Sequence, residues 1–193
     1  MRHLPRTVAL VAMSVYGSFS CAHPPAPRQS GIATPADGQV PLILNANEGE
    51  QRVRRIGGVA RFTIKIDPVT ARSPHLVMVT EAVAPNERIP AHVHPSEDEM
   101  IFVHSGTGTV ELGNRHESVT AGATVYIPRA TRIALRNTGS IPLEIVAVFS
   151  GVGFEEYLRD TSVPEGQPVV PLTSAELASI RQRHAEHVVW ERR

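Results

Sequence analysis

The feature that most constrains this chain is a succession of short β-type runs with no helical pattern between them. They are Arg61–Ile66, His75–Val83, Glu99–Val103, Thr107–Leu112, Ala123–Ile127 and Leu143–Phe149. Arg61-Phe-Thr-Ile-Lys-Ile66 alternates polar and apolar residues, the signature of a half-buried strand. Gly113-Asn114, between Leu112 and Arg115, signals a two-residue hairpin. Many short strands at regular spacing favour a closed or sandwiched all-β architecture, which hides strand edges and encloses a small cavity. No internal repeat is visible, so one barrel is expected, over residues 51–160.

The barrel is flanked by two different termini. After the last run, Phe154-Glu-Glu-Tyr-Leu-Arg159 reads as a short helix. Within the C-terminal extension, residues 161–193, Thr173-Ser-Ala-Glu176 fits a capping box. It opens a helix expected over 174–186, with Leu177, Ile180 and His184 on one face. The tail His187-Val-Val-Trp190 is strand-like and is expected to pack on the barrel or on a second subunit. At the other end, Arg2 and Arg6 precede a mostly apolar stretch from Thr7 to Tyr16, and small residues follow at Ser18, Ser20 and Ala22. This is the layout of a secretory signal, assigned to residues 1–21. Pro24, Pro25 and Pro27 would break a core helix there. Residues 22–50 read as a Pro-rich flexible linker.

Cys21 is the only cysteine, so neither an intramolecular disulfide nor a cysteine-rich zinc site can form. Ser18-Phe19-Ser20-Cys21 is similar to a lipobox. Two readings stand: Cys21 is lipidated and anchors an exported protein to a membrane surface in the periplasm or cell envelope, or cleavage falls near Ala22. No apolar run reaches the roughly 18 residues of a membrane-spanning helix. A formal net charge of zero argues against a nucleic-acid phosphate backbone as partner.

Chemistry concentrates in Pro90-Ala-His92-Val-His94-Pro-Ser-Glu-Asp-Glu99. His92 and His94 are two apart, so on a strand they face one side. Pro95 and Ser96 suggest a turn, after which Glu99 begins a second strand and points back at the same spot. Two imidazoles and a carboxylate are the donors of a two-histidine, one-carboxylate metal centre for Fe, Mn, Ni or Zn. Ile101 and Val103 share the inward face of Glu99. Tyr126, Thr131 and Arg132 are candidate polar contacts of the pocket. Glu97 and Asp98 are expected to be solvated, His104 to face away from Glu99, His116 to be exposed, and His184 and His187 to serve helix packing or capping.

These residues resemble the cupin superfamily. Its first motif, G-x5-H-x-H-x3-4-E-x6-G, is matched by His92, His94, Glu99 and Gly106, with Asn86 at the leading glycine. Its second, G-x5-P-x-G-x2-H-x3-N, is matched by Gly122, Pro128 and Asn137, with Ala130 at the second glycine and Ile133 at the histidine. The resemblance covers about residues 75–153. It implies a jelly-roll-like β-barrel, with Ile133 projecting inward. It also implies that His92, His94 and Glu99 remain as metal ligands while the last histidine ligand is lost at Ile133. The layout, with Phe154-Glu-Glu-Tyr after the last strand and a helical tail, is similar to small quercetin-dioxygenase-like cupins.

Three readings of function follow. In the first, a metal on His92, His94 and Glu99 acts on a small organic substrate in dioxygenase-, isomerase- or decarboxylase-type chemistry. Glu99 is then a ligand or, without metal, a general base. In the second, the barrel binds a small ligand without metal or turnover. In the third, it serves assembly as a homodimer.

Overall fold

The computed structural model describes residues 38–57 and 60–191. The expected signal segment and Cys21 lie outside the described residues. No helix among the described residues is long and apolar enough to cross a membrane.

Among the described residues, the chain forms twelve strands and two helices. β1 (Glu50–Arg54), β2 (Arg61–Ile66), β3 (Val77–Val83), β10 (Leu143–Phe149), β5 (Glu99–Ser105), β8 (Thr124–Ile127) and β11 (Ser162–Pro164) form one sheet, in the order β11-β1-β2-β3-β10-β5-β8. β4 (Arg88–Val93), β6 (Thr107–Leu112), β7 (Arg115–Thr120), β9 (Arg132–Asn137) and β12 (Val189–Trp190) form the other, in the order β12-β4-β9-β6-β7. Every pairing is antiparallel. The fold is the expected all-β, jelly-roll-like one with a short helical extension.

Alternation decides the inward face. Along β5, Glu99, Ile101 and Val103 are buried while Met100, Phe102 and His104 are exposed. Ile133, Leu135 and Asn137 of β9 are buried likewise. Inward residues of both sheets meet in one core that includes Ile64, Val77, Val110, Ile133 and Leu143. Burying such side chains stabilises by about 1.5–3 kcal/mol each relative to exposure.

The motif positions around the turns are structural. Gly106 has φ +87°, and a Cβ there would lie 2.6 Å from the carbonyl oxygen of Pro142. Asn137 is fully buried and satisfied. Its Nδ2 donates to the carbonyls of Val83 and Ile141, both at 2.8 Å, and its Oδ1 accepts from Gly139 N–H at 2.8 Å. Asn86 and Ala130, which replace motif glycines, keep the left-handed conformation at φ +67° and +59°. Asn tolerates that region. Ala does so at a cost of about 1–2 kcal/mol.

Two helices complete the unit. α1 (Phe154–Asp160) buries Phe154, Tyr157 and Leu158 against the core. α2 (Ser174–Arg183) opens with the expected capping box on Thr173 and Glu176. It stops at Arg183, three residues short of the expected end. His184 caps it, and the N–H groups of His187 and Val188 turn back to the His184 carbonyl. That turn frees Val189 and Trp190 to pair with β4. Part of the stretch read as linker is tied to the barrel: Lys65 Nζ donates to the carbonyls of Asn45, Ala46 and Glu48.

Candidate metal centre

His92 ends the inward row of β4, His94 follows just beyond it, and Glu99 opens β5. All three are buried, and one donor atom from each lies within 4.8 Å of the others. His94 Nε2 stands 3.7 Å from Glu99 Oε2. Ligand bonds of about 2.0–2.2 Å to a common ion give donor separations of this size.

Each imidazole is turned by a hydrogen bond on its other nitrogen. His92 Nδ1–H donates to the Pro90 carbonyl at 2.8 Å, and His94 Nδ1–H to the His187 carbonyl at 2.7 Å. A carbonyl only accepts, so both Nε2 atoms carry lone pairs. Metal-ligating histidines commonly have such outer partners. Aromatic rings fix the planes. Trp190 lies directly across from His92 in the β12–β4 pair and stacks on it at 4.6 Å. Phe154 and Phe149 meet His94 edge-on at 4.6 and 5.1 Å.

Two of the donors suit a metal because no described residue satisfies them. His94 Nε2 and Glu99 Oε2 are buried without a hydrogen-bond partner among the described residues. Such unpaired polar atoms are costly in an apolar interior. Burial pushes the Glu99 carboxyl up to about 8, with repulsion from Glu81 adding to it. Burial lowers His92 to about 4, and it lowers His94 to about 3 with help from His92. The metal-free centre is therefore neutral around pH 7, and a cation would restore the carboxylate.

A cavity of about 40 Å³ adjoins the three donors, walled by Ile101, Ile133, Leu135, Ala147 and Phe149 among others. Ile133 faces His92 across the β4–β9 pair, where it offers the centre a hydrocarbon wall. Val103 points inward too, but in the core rather than on the cavity wall.

Several expectations need correction. Tyr126 is 59% exposed on the outer side of β8, between the buried Val125 and Ile127. Arg132 points outward from β9 and pairs with Glu111 and Glu191. Thr131 sits in the turn before β9. None of the three lines the cavity. Glu97 is buried rather than solvated, because the His187 ring meets its Oε1 at 2.5 Å. Asp98 accepts from the Arg129 N–H at 2.9 Å. His184 caps α2 and contacts Asp160, as a capping role requires. His187 does more than cap, since its carbonyl orients His94. His104 and His116 are exposed as expected.

The contributions of Arg54, Glu81, Phe149, Phe154, His187 and Trp190 to the site were not read from the sequence. The Arg54 guanidinium grips Glu81 at the cavity edge, Nε to Oε1 at 3.1 Å and Nη2 to Oε2 at 2.8 Å. No local motif marks these residues. Strand pairing, the packing of α1 and the turn after α2 bring them in.

Compared with known proteins, the family model for the cupin domain matches residues 79–149, which carry the centre and both motifs. The chain belongs to the cupin superfamily. This cupin is 33% identical over 93 residues to Protein SchB of Streptomyces halstedii, covering 48% of this chain and 66% of that protein. It is 37% identical over 79 residues to mannose-1-phosphate guanylyltransferase 2 of Escherichia coli O157:H7, covering 40% of this chain but 16% of that protein. Among solved structures, a predicted oxalate decarboxylase from Thermotoga maritima superposes with a TM-score of 0.52 at 16% identity, over 57% of this chain and 100% of that one. An RmlC-like cupin from Shewanella frigidimarina gives a TM-score of 0.50 at 15% identity, over 61% and 97%. At these identities the two structures establish the fold alone.

Proposed function

We propose that this cupin holds a divalent transition metal on His92, His94 and Glu99 and acts with it on a small organic substrate, in dioxygenase- or isomerase-type chemistry. The carrying observation is the trio of buried donors, two of them aimed by backbone carbonyls and two left without a hydrogen-bond partner among the described residues. A bound ion of this kind supplies Lewis-acid polarisation of a substrate oxygen or a redox couple. The protein's own residues do the rest. Pro90 and His187 carbonyls hold the imidazole tautomers. Trp190, Phe149 and Phe154 fix the ring planes and exclude water. Ile133 leaves one side of the ion open to substrate or water.

Elemental analysis tests this on protein purified without chelator or affinity metal, beside a His92→Ala/His94→Ala variant. The wild type is expected to retain Fe, Mn, Ni or Zn and the variant to lose it. Equal content in both rejects the centre. The second reading, a metal-free pocket for a small ligand, is favoured by Ile133 at the position of the family's last histidine ligand. It predicts a ligand bound by the metal-free protein and recovered unchanged.

Export to the periplasm or cell envelope, with Cys21 lipidated, is part of the proposal and rests on residues 1–21. Unchanged membrane fractionation of a Cys21→Ser variant would remove the anchor. A homodimer is proposed on the family resemblance, and sedimentation velocity at several concentrations tests it.

A further inference from the structure

The cavity beside the three donors has a second polar wall. Arg54 and Glu81 line it, and they also line a larger open cleft of about 550 Å³ outside, together with Ile89 and Trp190. The ion pair is therefore part of the wall shared by the cleft and the inner chamber.

The geometry of Arg54 is unusual for a structural arginine. A guanidinium has five N–H groups. Glu81 engages the edge formed by Nε and Nη2, and no other side-chain acceptor is found for Arg54 among the described residues. Three N–H groups remain, including the fork between Nη1 and Nη2. Phe62 covers the guanidinium carbon at 4.9 Å and restricts the plane. Arg52, two residues earlier, contrasts with this: its donors are taken up by Ser162, Glu50 and the carbonyls of Arg159 and Ser162. A buried ion pair is weak evidence for stability, because apolar residues of similar volume often serve as well. Stability therefore does not explain a half-used guanidinium on the wall of this cavity.

We infer that the free fork of Arg54 is a receptor for the carboxylate of a small substrate, whose reacting end enters the inner chamber while any remainder stays in the outer cleft. The planar fork matches a carboxylate bidentately. About 40 Å³ holds a few atoms of water size, which suits a flat carboxylate and an adjoining oxygen. Charge agrees. A divalent ion on two neutral imidazoles and one carboxylate leaves one net positive charge, and Arg54 and Glu81 cancel each other. A monoanion makes the chamber neutral. This substrate class rests on the proposed metal centre for its second anchor.

The test separates the two ideas by measuring metal content and ligand binding independently. Pyruvate, pyruvamide and inorganic phosphate are titrated calorimetrically into wild type and into an Arg54→Met/Glu81→Met variant, which replaces both charges with apolar chains. Arg54→Lys is the second variant, keeping the charge and losing the fork. At equal metal content, pyruvate is expected to bind the wild type roughly tenfold more tightly than either folded variant. Pyruvamide is expected to show no such difference, and phosphate to bind more weakly than pyruvate. Equal pyruvate affinity across the folded proteins overturns the assignment, as does a preference for phosphate. If elemental analysis finds no metal in the wild type, the centre itself fails. The same titration of metal-free protein then decides on Arg54 alone: selective loss in the variants supports the receptor, and absence of binding overturns it.

Discussion

Replacing Glu99 by Gln in metal-stripped protein should remove a slope from the stability–pH curve. Glu99 is 5% exposed, its Oε2 has no partner among the described residues, and burial holds its carboxyl up at about 8 against an ordinary 4.5. The folded state thus keeps a proton that the unfolded chain releases. For an acid raised in this way, the stabilising contribution is full below 4.5 and is lost as pH rises toward 8. His92 and His94, lowered from 6.5 to about 4 and about 3, act in the opposite sense. They contribute stability above 6.5 and lose it as pH falls below that value. Between pH 6.5 and 8 the histidines are neutral in the folded state and lose their remaining protons in the unfolded chain, which offsets part of the Glu99 response equally in wild type and variant. The linkage slope is at most about 1.4 kcal/mol per pH unit and levels off near the folded value, so wild type should lose about 1–2 kcal/mol more than the variant across this window. The difference isolates Glu99, because Glu97 and other titrating groups occur in both proteins. Urea unfolding at pH 6.5, 7, 7.5 and 8 in the presence of a chelator measures it. Equal slopes in the two proteins would refute the claim that Glu99 is protonated and unpaired in the metal-free fold. Binding of a divalent metal should expel that proton, so that its affinity rises with pH up to about 8 in the wild type.

Other perturbations probe the frame around the centre. Ile133→His places a third imidazole opposite His92, and metal should then survive higher chelator concentrations, while the metal-free variant loses about 1–3 kcal/mol in urea unfolding from an unpaired buried ring. Ala130→Gly relieves a left-handed alanine at φ +59° and should raise stability by about 1 kcal/mol by the same measurement, leaving metal content unchanged. Gly153→Ala drives a Cβ to 2.2 Å from the His187 ring, so it should destabilise by about 1–3 kcal/mol and, by moving the carbonyl that turns His94, lower the metal content found by elemental analysis. Asp67 is buried, and its carboxyl is held below the ordinary 3.8 because bonds from Thr70 and Arg159 outweigh the effect of burial. Its contribution is present above 3.8 and lost as pH falls through the lower folded value, so acid unfolding followed by circular dichroism should be less steep in Asp67→Asn.

Which parts of the molecule could be read from the sequence follows from where each signal resides. β2, β6 and β10 have the expected ends because apolar residues on their inward faces mark them. β7, Arg-His-Glu-Ser-Val-Thr, has one buried position, Val119, and so shows no alternation; only the Gly113-Asn114 turn hints at it. β1 is similarly obscured, because Arg52 is buried and Arg54 half-buried through the ionic partners Glu50 and Glu81 rather than through apolar contact. The three donors were legible because strand spacing and one turn set their geometry locally. The burial of Glu97 has no local signal, because its partner, His187, lies 90 residues away and reaches it through the pairing of β12 with β4.

That pairing explains why the C-terminal tail belongs to the centre. The register of two residues, Val189 with Val93 and Trp190 with His92, places an indole over one imidazole. The chain reaches that register through the turn after α2, which also brings the His187 carbonyl to the other imidazole and the His187 ring to Glu97. The turn and the short strand that follows it thus set the tautomer of His94 and the plane of His92 together. A centre with three protein donors depends on such outer support more than one with four, since each misdirected ring removes a third of its ligand set. The apolar Ile133 wall and the tail are therefore two sides of one arrangement: a hydrocarbon surface in place of a further donor on one strand beside β4, and rigid orientation supplied by the strand on its other side.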